Sequence, residues 1–484
     1  MELMEQSICD VQDCLAGMCT TNAGRRLALL YDGDEPAVSR RLSNGEDAGS
    51  LSLDGKTYRV KTFELNHVNA GVVREILPWT APAALGTTPA FGCGDRLGVA
   101  GPAHIRAVRD RNVTPILAQQ SIRELTRTER TADQVMDAAT WAVLEEGYDQ
   151  RWGADADHLK SEDDIQLTAD AGFTMFTIDP GDHVCDSQRD AGNEKGFADI
   201  LGRCCRSVDV TDEVTGYEFT LTMNEEDVKK GMNKYLRAVN FVEQMYQAAG
   251  RIVSGEFDFE VSVDETDDPT SVAEHYIVAS ELRERGVCFT GLALRFIGEF
   301  EKGIDYKGDR DAFRETLKRH AAVARQLGGY KLSIHSGSDK FSIYPLFSEC
   351  APGLAHAKTA GTSYLEAIRT ISMADPAFFR ELFSYALGRY EEDKQTYHVS
   401  ADPAMIPALD SLKDDDLPRL LEDDNSRQVL HVSFGSVLCT RKENNEFLFR
   451  DRIYQALEDH RDLHLDTVQK HIRRHLEGLD KALV

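Results

Sequence analysis

The chain has 484 residues, of which 42% are hydrophobic, so it is long enough to bury a large core. Its formal net charge of −27 argues against nucleic acid or an anionic membrane surface as a partner. The apolar residues occur in short runs, well below the roughly 20 in succession that cross a bilayer, and the N-terminus lacks the basic and apolar parts of a signal peptide.

Ten cysteines without a CxxC pair fit free thiols in a reducing compartment. The composition therefore predicts a cytoplasmic protein with no membrane and no nucleic-acid partner. Symmetric self-association is common among soluble proteins, so a homo-oligomer is compatible with the sequence.

Short apolar or β-branched runs alternate with longer helical patterns, which predicts parallel strands joined by helical crossovers. Helices are predicted, for example, at residues 131–146 and 311–327. Nine runs are candidates for the eight strands of a closed barrel, so one of them is expected to be an edge or extra strand. In chain order these runs are residues 114–119, 154–160, 173–178, 257–264, 288–296, 331–336, 354–360, 396–401 and 428–434.

These elements predict an α/β fold, namely a (β/α)8 TIM-like barrel with an N-terminal cap, an inserted crossover segment and extra C-terminal helices. We assign residues 1–95 to an irregular cap, 96–440 to the barrel with an insertion at about 183–250, and 441–484 to helices packed on the barrel. Within the insertion, residues 203–250 predict a hairpin and a helix over the barrel mouth.

A doubly wound open sheet is the alternative architecture. The barrel is favoured because no GxGxxG motif follows the first strand. It is also favoured because polar residues stand at the ends of most strands, which converge on one mouth in a closed barrel.

Ionisable side chains crowd the predicted strand ends, where burial is unfavourable unless a partner satisfies them. The run at 154–160 contains Asp155, Asp157 and His158. Alternation places the two aspartates on one face and His158 on the other, unless a bulge intervenes. A cap of the following turn is the structural alternative for Asp157.

A second strand ends in Asp264 and Glu265, which precede the residues expected to cap the next helix. A third places His335 where a strand becomes a loop of small residues. A single histidine is more often a hydrogen-bonded core residue than a ligand. Two histidines with carboxylates at several strand ends, however, are the usual protein ligands of a catalytic metal ion, so these residues predict a divalent-metal site.

Two further features are candidates for substrate binding. Lys358 and Thr359 stand in a small polar loop before a predicted helix, where exposed amides can hold a carboxylate or phosphate. A plain turn is the alternative for this loop. His398 interrupts an apolar run and is a candidate to face the mouth.

Longer motifs in the chain are GDRLG, LAQQSIRE, GADADHLK, FTIDPGDHV, LSIHSGSDKFSIYP, KTAGTSYLEA and LHVSFGSVL. At these motifs, from about residue 94 to the last helix, the sequence resembles the tagaturonate/fructuronate epimerase family. The resemblance implies a metal-dependent enzyme that acts on a small keto-hexuronate in hexuronate catabolism. It places a divalent ion (Zn, Mn, Co or Ni) near His158 and His335, with Asp157 and the pair Asp264 and Glu265 as acid–base groups or ligand. Among these we assign Glu265 to the metal and Asp157 and Asp264 to proton transfer. The substrate-binding residues expected are Lys331, Lys358, Thr359 and His398.

The two keto-sugars of that family differ at C4, whereas their ketone is at C2. Because the C4 hydrogen is not α to the ketone, simple enolisation cannot invert this centre. We therefore predict a retro-aldol route, with the metal as Lewis acid and two carboxylates exchanging base and acid roles. The alternatives are another metal-dependent sugar isomerase, a class II type aldolase acting on a small sugar acid, and a non-catalytic sugar-acid-binding protein.

Overall fold

The structure, a computed structural model, describes residues 1–185, 192 and 196–483. Its N-terminal part is a six-stranded antiparallel sheet, whereas the sequence suggests an irregular cap. The strands of this sheet are β1 (Glu2–Leu3), β2 (Cys9–Val11), β3 (Cys14–Thr21), β4 (Gly24–Tyr31), β5 (Gly45–Leu53) and β6 (Lys56–Phe63).

The N-terminal sheet is a set of hairpins that packs on the outside of the rest of the molecule. A two-residue turn of Asp54 and Gly55, both with positive φ, joins β5 to β6, as expected for an Asp-Gly hairpin. Leu29 and Phe63 of the sheet share one buried cluster with Trp141 of a later helix. None of the ten cysteines, all of which lie in the described part of the chain, forms a disulfide bond.

The later strands form the barrel and one hairpin. In chain order they are β7 (Ala90–Gly92), β8 (Thr114–Ser121), β9 (Gly153–Leu159), β10 (Met175–Ile178), β11 (Ser207–Asp212), β12 (Tyr217–Thr222), β13 (Asp258–Val263), β14 (Gly291–Leu294), β15 (Lys331–Ile334) and β16 (Ala355–Lys358). Within the described residues, eight of these strands close into a parallel barrel in the order β7-β8-β9-β10-β13-β14-β15-β16. The predicted (β/α)8 fold is confirmed.

β7 has no counterpart among the predicted strands. It contains only three residues, all buried, which is too few to show a hydrophobic pattern. It also lies before residue 96, where the sequence places the start of the barrel.

Helices cover the barrel and extend beyond it. They are α1 (His67–Ile76), α2 (Gly101–Val108), α3 (Ile122–Thr128), α4 (Ala132–Glu146), α5 (Glu162–Asp170), α6 (Phe197–Cys204), α7 (Glu225–Ile252), α8 (Val272–Glu284), α9 (Arg310–Gln326), α10 (Tyr344–Cys350), α11 (Thr362–Ala374), α12 (Pro376–Asp393), α13 (Asp424–Val432), α14 (Phe434–Cys439), α15 (Arg450–Asp459) and α16 (Arg461–Leu479). α16 packs against α2, α10 and α11.

Local sequence explains where many of these helices begin. In a capping box, a polar residue and the residue three positions later accept hydrogen bonds from each other's backbone N–H. Such pairs are Ser121 with Glu124, Thr131 with Gln134, Asn224 with Asp227 and Ser271 with Glu274. None of the helices in the described part of the chain is long and apolar enough to span a membrane.

Two of the predicted strands are wrong. Residues 428–434 lie largely in α13, whose N-cap Asp423 accepts a hydrogen bond from the first turn of the helix. A short apolar run buried on all sides fits a core helix as well as a strand, so the pattern alone does not decide between them. Residues 396–401 end a 3-10 turn and continue irregularly, and there the Ser400 hydroxyl donates to Glu301 at 2.7 Å.

The long crossover between β10 and β13 contains the predicted hairpin, β11–β12, and the 28-residue helix α7. The hairpin does not lie over the mouth. It packs on α9, where Arg325 Nε is 2.8 Å from Asp212 Oδ1. Arg325 is at the C-terminal end of α9, which leads into the first residue of β15. The contact is therefore on the side of the barrel away from the mouth. Residues 186–191 and 193–195 of the predicted insertion lie outside the described residues.

A pair of buried histidines makes stability depend on pH. The Nδ1 atoms of His275 and His320 are 3.0 Å apart, and the Tyr330 hydroxyl bonds His275 Nε2 at 2.6 Å. Burial lowers the pKa of His320 to about 4 and that of His275 well below its ordinary value. Below an unfolded-state pKa of about 6.5, the unfolded chain therefore binds more protons than the folded chain, and stability falls as pH falls.

We expect the free energy of unfolding to decrease by about 1 kcal/mol for each such histidine between about pH 7.5 and about pH 5.5. Urea denaturation at the two pH values measures this change. The His320→Gln variant keeps a side chain that forms hydrogen bonds but does not titrate, so its pH dependence should be smaller. An unchanged pH dependence in this variant would contradict the assignment.

Candidate active site

The carboxyl ends of the barrel strands bring five predicted site residues to one mouth. Asp157 and His158 lie at the end of β9. Asp264 and Glu265 directly follow β13, and His335 follows β15. An outer cavity of about 680 Å³ is lined in part by Asp264, Glu265 and His335. His335 also lines a narrow inner crevice of about 30 Å³, together with Asp157 and His158.

A β-bulge explains how Asp157 and His158 reach the same site. Compared with β10, β9 has one extra residue before the pair formed by Leu159 and Ile178, so Asp157 and His158 together face a single residue of β10. His158 has a φ of 56°, which is uncommon for a residue with a side chain and is typical of functional sites under strain. The bulge breaks the alternation that would separate the two side chains in a regular strand.

The ionisable groups at the mouth form a compact cluster. One ligand atom from each of Asp157, His158 and His335 lies within 4.8 Å of the others. His158 Nδ1 is 3.0 Å from Asp157 Oδ1, and His158 Nε2 is 3.9 Å from Glu265 Oε1. His335 Nδ1 is 3.4 Å from Asp264 Oδ1. Two imidazoles with carboxylates at these distances are donors suited to a divalent ion.

The charges in this cluster depend on one another. Burial and the neighbouring Lys358 act to lower the pKa of His335, but Asp264 and Glu260 outweigh them and raise it to about 10. Burial opposes ionisation of Asp264, yet His335 and His158 hold the pKa of that carboxyl well below its usual range. Without a metal ion, these carboxylates therefore favour the protonated form of His335, and a metal ion would compete with that proton.

Lys358 lies in the barrel interior next to the cluster, and its ammonium is surrounded by carboxylates. Its Nζ is 2.8 Å from an oxygen of each of Asp155, Asp157 and Glu260, and it donates a hydrogen bond to Thr177 at 2.8 Å. Burial disfavours the charged ammonium, but the three carboxylates more than compensate and hold the pKa of Lys358 well above its ordinary value. Lys358 therefore neutralises buried acid groups and is not a free cation for an anionic substrate.

Glu260 is the main site residue that the sequence motifs do not indicate. Its carboxylate bonds His335 Nε2 at 2.7 Å and His356 Nδ1 at 3.0 Å, so it orients the His335 ring from the interior of the barrel. The sequence signal is the period of two in β13, which directs Glu260, Ser262 and Asp264 to the same side of the strand. The same alternation relates Asp155 to Asp157 in β9.

Three of the residues predicted to bind substrate either do not line the two cavities or already form a bond within the protein. Lys331 is the first residue of β15, at the end of the barrel away from the mouth, and its Nζ donates to a backbone carbonyl at 2.9 Å. The buried Thr359 hydroxyl donates to a backbone carbonyl of β7 at 2.6 Å. Neither residue lines either cavity. His398 does line the outer cavity, but it is largely exposed and bonds Glu299 at 2.7 Å.

A second group with metal-ligand chemistry, Asp339, His471 and His475, has a structural explanation. His475 Nε2 accepts a hydrogen bond from the N–H of Asp339, and His475 Nδ1 donates to the carbonyl of His471, both at 2.9 Å. Asp339 also pairs with Arg427 at 2.6 Å. These bonds connect the loop after β15 to α16 and α13, so the group has a role in holding the fold together.

A closed parallel barrel with imidazoles and carboxylates at the carboxyl ends of its strands defines the class of protein. It is an enzyme of the TIM-barrel type, in which catalysis takes place at that face. A sequence model for tagaturonate epimerase (UxaE) matches residues 4–479. The chain belongs to the tagaturonate epimerase family and is an isomerase.

Individual relatives agree with this assignment. The tagaturonate/fructuronate epimerase of Thermotoga maritima is 46% identical over 424 residues, which cover 86% of this chain and 86% of that protein. The native crystal structure of the fructuronate-tagaturonate epimerase UxaE from Cohnella laeviribosi matches with a TM-score of 0.88 at 35% identity, covering 99% of this chain and 96% of that chain. A complex of that enzyme with one glycerol matches equally well, with a TM-score of 0.88.

Proposed function

We propose that the protein interconverts tagaturonate and fructuronate by inverting C4, and that a divalent metal ion takes part. The observation that carries the proposal is the meeting of His158, His335 and three carboxylates at the barrel mouth of a chain from this family. The substrate is a small keto-hexuronate of hexuronate catabolism. Ten cysteines without a disulfide bond among the described residues accord with a reducing, cytoplasmic location.

The donor set fits a divalent ion. Ligand atoms held at about 2.1 Å from one ion lie roughly 3 to 4 Å apart. The candidate atoms of Asp157, His158 and His335 lie within 4.8 Å of one another before any adjustment. Imidazole and carboxylate accept Zn²⁺, Mn²⁺, Co²⁺ and Ni²⁺ alike. A bound ion would supply Lewis-acid stabilisation of negative charge on a substrate oxygen.

The geometry supports a different division of roles from the one assigned from the sequence. We assign Asp157 to the metal with His158 and His335, because one ligand atom of each lies within 4.8 Å of those of the other two. Glu265 has a half-exposed side chain in the outer cavity, where it is free to move protons. Asp157 and Glu265 thus exchange the roles expected from the sequence, while Asp264 remains a proton-transfer residue.

The reaction requires removal and return of one proton. As a carboxylate takes the O4 proton, the C3–C4 bond breaks, its electrons form an enediolate over C2 and C3, and C4 becomes an aldehyde. The aldehyde fragment turns to present its other face. C3 then attacks C4, and a proton returns to O4 with the configuration inverted. Every atom is retained, and no oxidant or reductant is needed.

Asp264 and Glu265 are suited to move these protons. Asp264 lies 3.4 Å from His335 Nδ1 and accepts a hydrogen bond from the Ser262 hydroxyl. Both carboxylates line the outer cavity, so each can reach a bound sugar. One acts as base while the other acts as acid, and the roles reverse for the opposite direction. Glu260 orients the imidazole that lies beside them.

The proposed function predicts that tagaturonate is converted to fructuronate only by metal-loaded protein. Proton-decoupled ¹³C NMR of tagaturonate incubated with loaded and EDTA-stripped protein measures this directly. Accumulation of three-carbon fragments would instead identify an aldolase, and no conversion would exclude both activities.

The retro-aldol route predicts that the product formed in D₂O carries no deuterium at C4, because the C4–H bond is never broken. Mass spectrometry and ¹H NMR of the product measure the label. Deuterium at C4 would contradict this route and would require direct proton abstraction from that carbon.

A further inference from the structure

The substrate of the proposed function is an anion, yet the cations expected to bind it are already occupied. Lys358 contacts three carboxylates at 2.8 Å each, and Lys331 lies at the far end of the barrel. The mouth itself is rich in negative charge from Asp157, Asp264 and Glu265. A uronate carboxylate therefore needs positive groups at the mouth that form no direct ion pair with a carboxylate of the chain.

Arg123 is the first such group. It lies in the first turn of α3, directly after β8, and lines both the outer cavity and the inner crevice. Its guanidinium lies over the Tyr397 ring at 5.1 Å, and its buried Nε has no hydrogen-bond partner. Among the described residues, Arg123 forms no ion pair. Its planar face is supported by Tyr397, while its donors remain available for a carboxylate.

Lys302 is the second cation of the mouth, and it also lines both cavities. Its Nζ donates to the hydroxyl of Ser336 at 2.7 Å. Because Ser336 directly follows His335, this bond holds the ammonium close to the proposed metal ligand. It forms no ion pair with a carboxylate in the described part of the chain. An ammonium has three N–H donors, so two remain for a ligand.

His431 adds a neutral donor to the inner crevice. Arg96 Nη2 lies 3.3 Å from His431 Nε2, and because arginine can only donate, this nitrogen is the acceptor. The ring proton is therefore on Nδ1, a buried atom with no hydrogen-bond partner, in a side chain that is 3% exposed. Gly361 makes room for the ring, because a Cβ there would lie 2.1 Å from His431 Cε1.

We propose that Arg123, Lys302 and the Nδ1–H of His431 form the subsite that binds the substrate carboxylate, an inference that rests on the proposed function. The inner crevice, at about 30 Å³, is too small for a sugar, so only a small group at one end of the substrate can enter it. The rest of the sugar lies in the outer cavity beside Asp264 and Glu265.

This subsite also explains how an epimerase keeps both halves of its substrate. When the C3–C4 bond breaks, the carboxylate stays with the C4–C6 aldehyde fragment. Anchored through C6, this fragment can turn its C4 carbonyl about the intervening single bonds without leaving the site. The subsite thus favours re-addition over release of fragments.

The test measures kcat and KM for tagaturonate in the Arg123→Gln and Lys302→Gln variants. Each change removes a charge-assisted hydrogen bond, so we expect KM to rise about 10- to 100-fold with kcat changed less than about threefold. Arg123→Lys keeps the charge and should restore part of the affinity. Metal content should equal that of the wild type, and thermal melts confirm folding.

The matched control is Arg127→Gln. Arg127 lies on the same helix and over the same Tyr397 ring at 4.9 Å, but its guanidinium donates to Thr396 at 2.8 Å and does not line either cavity. Its KM should remain within about twofold of the wild-type value. D-Tagatose, which has a hydroxymethyl group in place of the carboxylate, serves as the neutral comparison. The preference for tagaturonate over D-tagatose in kcat/KM should fall in both charge-removal variants.

The possible failures are distinguishable. If the wild type does not convert tagaturonate, the proposed function is wrong, and the proposed subsite is wrong as well. If the wild type is active but both charge-removal variants keep the wild-type KM, only the subsite is wrong. A loss of kcat at unchanged KM would also overturn it, because that result assigns the residues to chemistry and not to carboxylate binding.

Discussion

Replacing Lys358 with Met should lower the free energy of unfolding by about 4 kcal/mol and abolish turnover. The variant keeps much of the side-chain volume but leaves Asp155, Asp157 and Glu260 without the ammonium that lies 2.8 Å from each of them. Loss of one partner of a buried ion pair costs about 3 to 5 kcal/mol, because the remaining charge is uncompensated. Chemical denaturation at about pH 8 measures the effect.

The loss of stability should become smaller as the pH is lowered. Without Lys358, burial and mutual repulsion raise the folded-state pKa values of the three carboxyls above their unfolded values. A group with a raised pKa stabilises the fold at low pH, and this contribution is lost as the pH rises through the folded pKa. Even with Lys358 present, burial raises the pKa of Asp155 to about 6.

Lys331→Met is the matched control, because Lys331 is an equally buried lysine of the barrel interior. Its Nζ bonds one backbone carbonyl, and the nearby Asp258 accepts two backbone N–H bonds of its own. Its loss of stability should therefore be less than half that of Lys358→Met. Adding Asp155→Asn to Lys358→Met should restore part of the stability by removing one excess charge. Equal losses for the two lysines, or no such recovery, would contradict the role assigned to Lys358.

Replacing His335 with Ala should strip the metal and reduce kcat by about three orders of magnitude, or about 4 kcal/mol in the barrier. His335 belongs to the three-residue ligand group, and its ring is bonded to Glu260 at 2.7 Å and lies 3.4 Å from Asp264. Removing the ring takes away a metal ligand and the imidazole that lies beside Asp264. Metal analysis of the purified protein, together with NMR turnover assays, measures both losses.

The fold of the His335→Ala variant should remain cooperative, because Glu260 retains Lys358 and His356 as partners. His104→Ala is a suitable control for loss of a buried imidazole. His104 is fully buried and bonds the Ser363 hydroxyl at 2.7 Å on the helical side of the barrel. The His104→Ala variant should therefore have the metal content and the kcat of the wild type. Normal metal content and rate in His335→Ala would remove His335 from the site.

Much of the fold could be predicted because its signals are local. Alternating apolar runs and helical patterns indicate seven of the eight barrel strands, and polar residues at strand ends indicate which face carries the chemistry. The wrong strand predictions arise where such a local signal is missing. β7 is too short to carry a pattern, and the run at 428–434 is apolar on all sides, so it gives no period to distinguish a helix from a strand.

The candidate site was only partly predictable for a different reason. His158, Asp264 and His335 stand at visible strand ends, and alternation within one strand relates Asp155 to Asp157. Glu260 is hidden in an apolar strand, where a buried carboxylate is improbable unless distant cations satisfy it. In the sequence Arg123 and Lys302 resemble ordinary surface charges. What distinguishes them is their position at the mouth, where neither forms an ion pair with any of the described residues.

By itself, the sequence determined the class of fold, the residue types available for metal and proton chemistry, and the family motifs that carry them. Only the tertiary structure decided which charges remain available. Lys358 and Asp157 are 201 positions apart in the chain, yet they are 2.8 Å apart in the barrel. The strength of an ionic contact depends on distance and burial in space, and neither can be inferred from separation along the chain.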